Sequence, residues 1–132
     1  MEQLLRQNLA GYLFLLVRRY KMTHLDKFIE FSLKRFNAKT SVTANKYFQK
    51  LKDISIEMVN LNNILELRNL YNHENIAVRC NAAFALLPFD AVEAEKVLEE
   101  LAIQRGDFVY LEARMTLQEW RKGNLKFDYY KK

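Results

Sequence analysis

The residue types able to do chemistry in this chain are few and scattered. Its two histidines, His24 and His73, lie far apart, and neither has Cys, Asp or Glu neighbours at a metal-ligand spacing. The single cysteine, Cys80, has no sequence-local partner that would lower its pKa, so it reads as a small buried hydrophobe. Carboxylates do pair at helical spacing, Asp26 with Glu30 and Glu95 with Glu99, but on a helix such pairs usually form a solvated face. The isolated glycines Gly11, Gly106 and Gly123 make no phosphate-cradling loop, and no nucleophile elbow is present. The expectation is a protein that is not an enzyme and has no catalytic residues, metal, cofactor or small-molecule substrate.

Binding chemistry is better represented. Phe84 and Tyr110 fall outside the apolar stripes of two helices, with Arg79, Glu112, Arg114 and Glu119 around them. Exposed aromatics beside arginine are the material of binding hot spots, so these six are the candidate partner-binding residues. The same aromatics have an alternative use, as satellite packing beneath the tail at residues 124–132. A further alternative is a nucleic-acid groove lined by Lys46, Lys50, Lys52, Arg79 and Arg114, with Trp120 and tyrosines beside them. Reading phosphates requires several such cations on one face.

The elements that must position these residues are helical. Half of the 132 residues are hydrophobic, and three Gly with one Pro are too few for the turns of a sandwich or barrel. The composition therefore predicts a single all-α domain. A lone cysteine suits a reducing, cytoplasmic compartment. The longest nearly uncharged stretch, Asn8 to Val17, is about half the roughly 20 residues of a membrane span, and its flanking charges do not fit a signal peptide. It reads as part of a core helix, with no membrane role. The net charge of +5 hides an asymmetry: residues 1–60 carry 11 basic and 5 acidic side chains, residues 61–122 carry 7 and 10, and the tail carries 3 and 1.

Apolar periodicity predicts about seven helices. The first covers Glu2 to about Lys21, and the second starts at a Thr23–Asp26 capping signal and runs to about Asn37, with Lys27, Glu30, Lys34 and Arg35 facing away from its stripe. The third, capped by Ser41, covers Val42 to about Asn60 on a stripe that includes Tyr47 and Phe48. The fourth covers Leu61–Tyr71, and the fifth Asn75 to Leu87, ended by Pro88. The sixth begins near Asp90, with Val92 on its stripe, and the seventh covers Phe108 to about Lys122, stopped by Gly123. A shift of 31 residues superposes Leu61 on Val92, Leu67 on Leu98, Leu70 on Leu101, Val78 on Val109, Ala82 on Ala113 and Leu86 on Leu117. That self-similarity predicts two stacked helical hairpins over 61–122, an irregular helical cap over 1–60 and a tail over 123–132.

Four motifs carry a family resemblance. They are Thr43-Ala44-Asn45-Lys46-Tyr47-Phe48-x-Lys50-Leu51, Val78-Arg79-x-x-Ala82-Ala83-x-x-Leu86-Leu87, Ala94-x-x-Val97-Leu98-Glu99-Glu100-Leu101-Ala102 and Ala113-x-x-Thr116-Leu117-x-Glu119-Trp120-Arg121-Lys122-Gly123. Together they resemble a small bacterial HEAT-like family catalogued as domain of unknown function 2019, over roughly Leu25 to Leu125. The turn Tyr71-Asn72-His73-Glu74-Asn75 departs from it in lacking the proline often seen at a HEAT turn. The resemblance implies a short α-solenoid and, since some members sit beside polymorphic-toxin genes, an immunity protein. Its partner would be a cognate toxin C-terminal domain, such as that of a contact-dependent growth inhibition system. If that toxin is a nuclease, the acidic set Glu93, Glu95, Glu99, Glu100, Glu112 and Glu119 is the expected complementary surface. A nucleic-acid-binding module and a general protein-interaction adaptor are the other readings.

Overall fold

Residues 76–86, the stretch richest in small apolar side chains, form the helix against which the others pack. The computed structural model describes residues 22–131; the expected first helix, Glu2 to Lys21, lies outside them. The described residues contain no strand and hold α1 (His24–Phe36), α2 (Ser41–Asn60), a 3-10 segment (Ile64–Leu70), α3 (Ile76–Leu86), α4 (Ala91–Ala102), α5 (Phe108–Arg121) and a 3-10 turn (Asp128–Tyr130). Helix α3 packs on α1, α4, α5 and the 3-10 segment, while α1 pairs with α2 and α4 with α5. Among the described residues no helix is long and apolar enough to cross a membrane.

Local chemistry fixes the boundaries. The capping box opens α1 as expected: the Asp26 amide donates to the Thr23 hydroxyl at 3.1 Å, and the Thr23 amide donates back to the Asp26 carboxylate at 3.1 Å. Helix α2 is capped by Thr40, whose hydroxyl accepts from the Thr43 amide at 3.1 Å, and the expected cap Ser41 is already helical. Gly123 closes α5 with φ +76°, its amide donating to Trp120 and that of Asn124 to Glu119.

The fourth expected helix differs in kind. Asn62 takes a left-handed φ of 60°, its amide donating to the Val59 carbonyl and that of Asn63 to Met58. This cap uses residues 61–63 to end α2, so the next element begins only at Ile64. Ile64, Leu67 and Leu70 are all buried and recur every third residue, the period of a 3-10 helix. The fourth expected α-helix is thereby replaced by a 3-10 segment, and the described residues hold five α-helices.

The 31-residue offset pairs positions of like burial. Five of its six pairs are buried in both members, from Leu67 with Leu98 to Leu86 with Leu117; Leu61 and Val92 are exposed in both. Val92 therefore leaves the expected stripe of its helix. Phe48, expected on the apolar stripe of its helix, is 40% exposed, and Phe36 at the end of α1 is 42% exposed. Arg35, expected to face away, turns inward to reach α3 and α5.

Asn75 holds the start of α3, its side-chain oxygen accepting from the amides of Ala77 at 2.8 Å and Val78 at 3.3 Å. Asn75→Ala should lower stability by about 1 kcal/mol, whereas Asn75→Asp should stay near the parent. Urea denaturation of the two variants checks the difference.

Candidate functional site

Arg35 is the side chain that ties three helices together. From α1 its guanidinium donates to Asn81 Oδ1 on α3 at 2.8 Å and pairs with Glu112 on α5 at 2.8 Å, while stacking over the Phe48 ring at 5.2 Å. Burial selects this arrangement, because a half-buried guanidinium without a partner is costly. Around the pair opens a cleft of about 350 Å³, with Ala77, Cys80 and Val109 among its walls. Phe36 and Phe108 also line it, and Phe108 is 78% exposed. On the outward side of α5, Leu111 and Met115 are exposed as well.

The six candidate residues divide among several places. Glu112 belongs to the Arg35 cleft. Arg79 and Tyr110 share a second cleft, of about 250 Å³, with Tyr71, Ile76, Val97, Glu100, Leu101 and Gln104. Arg114 donates to the carbonyls of Ala102 at 3.0 Å and Gln104 at 2.9 Å, satisfying groups at the end of α4. Glu119 accepts from the Asn124 side-chain amide at 2.8 Å and so holds the tail turn. Phe84 lies under the tail, with ring centroids 6.2 Å from Phe48 and 5.3 Å from Phe127, the packing alternative of the sequence reading. The tail itself is pinned by Tyr130, whose hydroxyl donates to the Ala85 carbonyl at 3.2 Å.

Charge pairing redistributes the surface. Arg121 binds both Glu95 and Glu99, and Arg35 binds Glu112, so three of the six carboxylates of the expected acidic surface are ion-paired within the chain and a fourth, Glu119, is held by Asn124. The cations of the expected nucleic-acid groove divide: Lys46 and Lys50 lie together, on the Tyr47 and Phe31 rings whose centroids are 6.2 Å apart, while Lys52 lies over Tyr129 and Arg79 and Arg114 at the places just given. Among the described residues no three His, Cys, Asp or Glu side chains gather closely enough to hold a metal ion. The residues that sequence reasoning missed are Arg35, Phe36 and Phe108. A signal for Arg35 is its spacing of three from Ser32, which is fully buried in α1, so the two share one side of the helix.

No known protein family, curated protein or solved structure matches the chain.

Burial pushes the Cys80 thiol well above its usual range, with the Glu112 charge adding and Arg35 opposing. Burial likewise raises Tyr71, Tyr129 and Tyr130, and the hydrogen bond to Asp90 raises Tyr71 further. Each raised group binds its proton more tightly folded than unfolded, so its stabilisation is complete below the unfolded value and declines above it. Stability should therefore fall as pH rises through about 8.5 for the thiol and about 10 for the phenols. Thermal melts between neutral and alkaline pH check the fall. In the native protein Cys80 should also resist iodoacetamide at pH values where a free thiol reacts, and become reactive in denaturing urea.

Proposed function

We propose that the chain is a non-catalytic protein-binding module, a short α-solenoid of HEAT-like hairpins that neutralises a cognate antibacterial toxin domain in the cytoplasm. The toxin class comes from the motif resemblance alone. The observation that carries the binding reading is the Arg35 cleft, where Phe36 and Phe108 flank a partly buried Arg35–Glu112 pair. An exposed aromatic beside a desolvating pocket and an arginine is the composition of an interface hot spot. Leu111 and Met115 extend the apolar surface along α5. The two like-buried halves of the 31-residue offset support the solenoid.

A basic and aromatic patch favours a second reading, nucleic-acid binding. Lys34 and Lys46 lie within 5.7 Å and 5.5 Å of the Tyr47 ring centre, and Lys50 lies 5.5 Å from that of Phe31. Cations interleaved with aromatics suit phosphates and bases. A general adaptor would show neither specific toxin protection nor salt-sensitive nucleic-acid binding.

The test is co-purification on the tagged chain at moderate salt, followed by a protection assay with the captured domain. The toxin reading predicts a domain recovered in near-equal amount that kills cells lacking the chain and spares cells expressing it. Phe108→Asp should abolish capture and protection while leaving the melting temperature near the parent, because the ring is mostly outside the core. Recovery of RNA or DNA alone, lost as salt rises, would replace the toxin reading with the nucleic-acid one.

A further inference from the structure

We infer that the cleft around Arg79 is an oxyanion-binding site, taking a carboxylate or phosphate group in the fork of the guanidinium. The six arginines among the described residues separate cleanly. Five have acceptors: Arg35 on Asn81 and Glu112, Arg68 on Asp90, Arg105 and Arg114 on the carbonyls of Ala102 and Gln104, and Arg121 on Glu95 and Glu99. Arg79 has none of these: its Nε is sealed from solvent and makes no hydrogen bond. From that sealed position the Nε cannot meet a ligand, so the terminal Nη pair, which also has no acceptor among the described residues, is the planar fork that offers an oxyanion two parallel hydrogen bonds.

The surroundings suit that ligand. The cleft, about 250 Å³, lies between α3, α4 and α5 and is ample for one carboxylate or phosphate group. Tyr71 gives its hydroxyl to Asp90 at 3.0 Å, so it contributes its ring as a wall. Tyr110 and Gln104 also line the cleft and supply a phenol and an amide that can donate to the anion. Arg79 stands in the first turns of α3, where the helix dipole favours negative charge. Glu100 also lines the cleft and opposes it. A singly charged carboxylate is therefore preferred to a phosphate dianion, and Glu100→Gln should strengthen the phosphate more than the carboxylate.

The site does not depend on the toxin reading, because it can be tested on the chain alone. The experiment follows the Arg79 Nε–H signal of the labelled protein by NMR during titration with sodium acetate or sodium phosphate, with sodium chloride at matched ionic strength as reference. The site predicts a saturable shift at Arg79 that exceeds any at Arg105 and that chloride does not reproduce. Acetate and phosphate curves distinguish the two sources of the oxyanion. Arg79→Lys, which keeps the charge and loses the fork, should weaken binding about tenfold, read from the Tyr110 ring signals. If that variant fails to fold, Tyr110→Phe should weaken the response still read at Arg79 itself. A shift equal to that of chloride, or an Arg79→Lys variant that binds as well as the parent, would overturn the proposal.

Discussion

Close packing around α3 is the constraint on which the rest depends. Eight of its eleven residues are buried, Ala82 and Ala83 completely, so nearly every side of the helix meets another element. Small side chains permit that approach, and a larger one at Ala82 or Ala83 would force its neighbours apart. The helix is correspondingly weak in amphipathic pattern and strong in position: Asn75 fixes its first turn, and Leu87, Pro88 and Phe89 lead the chain out into α4. Helices on all sides then inherit their placement from one surface.

Polar ties add specificity to this apolar arrangement. Arg35 reaches from α1 to Asn81 and Glu112, so the first hairpin is held in register with α3 and α5. On another side, Arg68 and Tyr71 both donate to Asp90, joining the 3-10 segment to the start of α4. Asp90 consequently makes no side-chain cap on α4. The tail closes a third side through an aromatic cluster of Phe84, Trp120, Phe127, Tyr129 and Tyr130. Each cleft has members of these ties in its wall, Arg35, Asn81 and Glu112 in the first and Tyr71 in the second.

Much of the fold was legible in the sequence because helical spacing and capping act locally. The Thr23–Asp26 box, the burial of Val78, Ala82 and Leu86, and the stop at Gly123 follow from residue type and spacing alone. The 3-10 segment was misread because Leu61, Ile64, Leu65, Leu67 and Leu70 fit an α-helical stripe as readily as a three-residue period. Only the left-handed Asn62 decides between them, and Asn adopts that conformation by context. The site was less legible because it depends on contacts across 46 residues or more. Arg35 looked like a solvent-facing charge until Asn81 and Glu112 were placed beside it. Arg79 and Tyr110, both among the expected partner-binding residues, share one cleft. Their separation from Glu112, Arg114 and Glu119 follows from helix orientation, which spacing on one helix does not specify.

Native-state hydrogen exchange tests the central role of α3 most directly. Exchange free energies range from near zero at fraying ends to the global unfolding value in the element that opens last. The amides of Val78, Ala82 and Leu86 should exchange only through global unfolding, more slowly than any in α1 or α2. Rapid opening of α3 while the α1–α2 hairpin stays protected would contradict a fold organised on that helix.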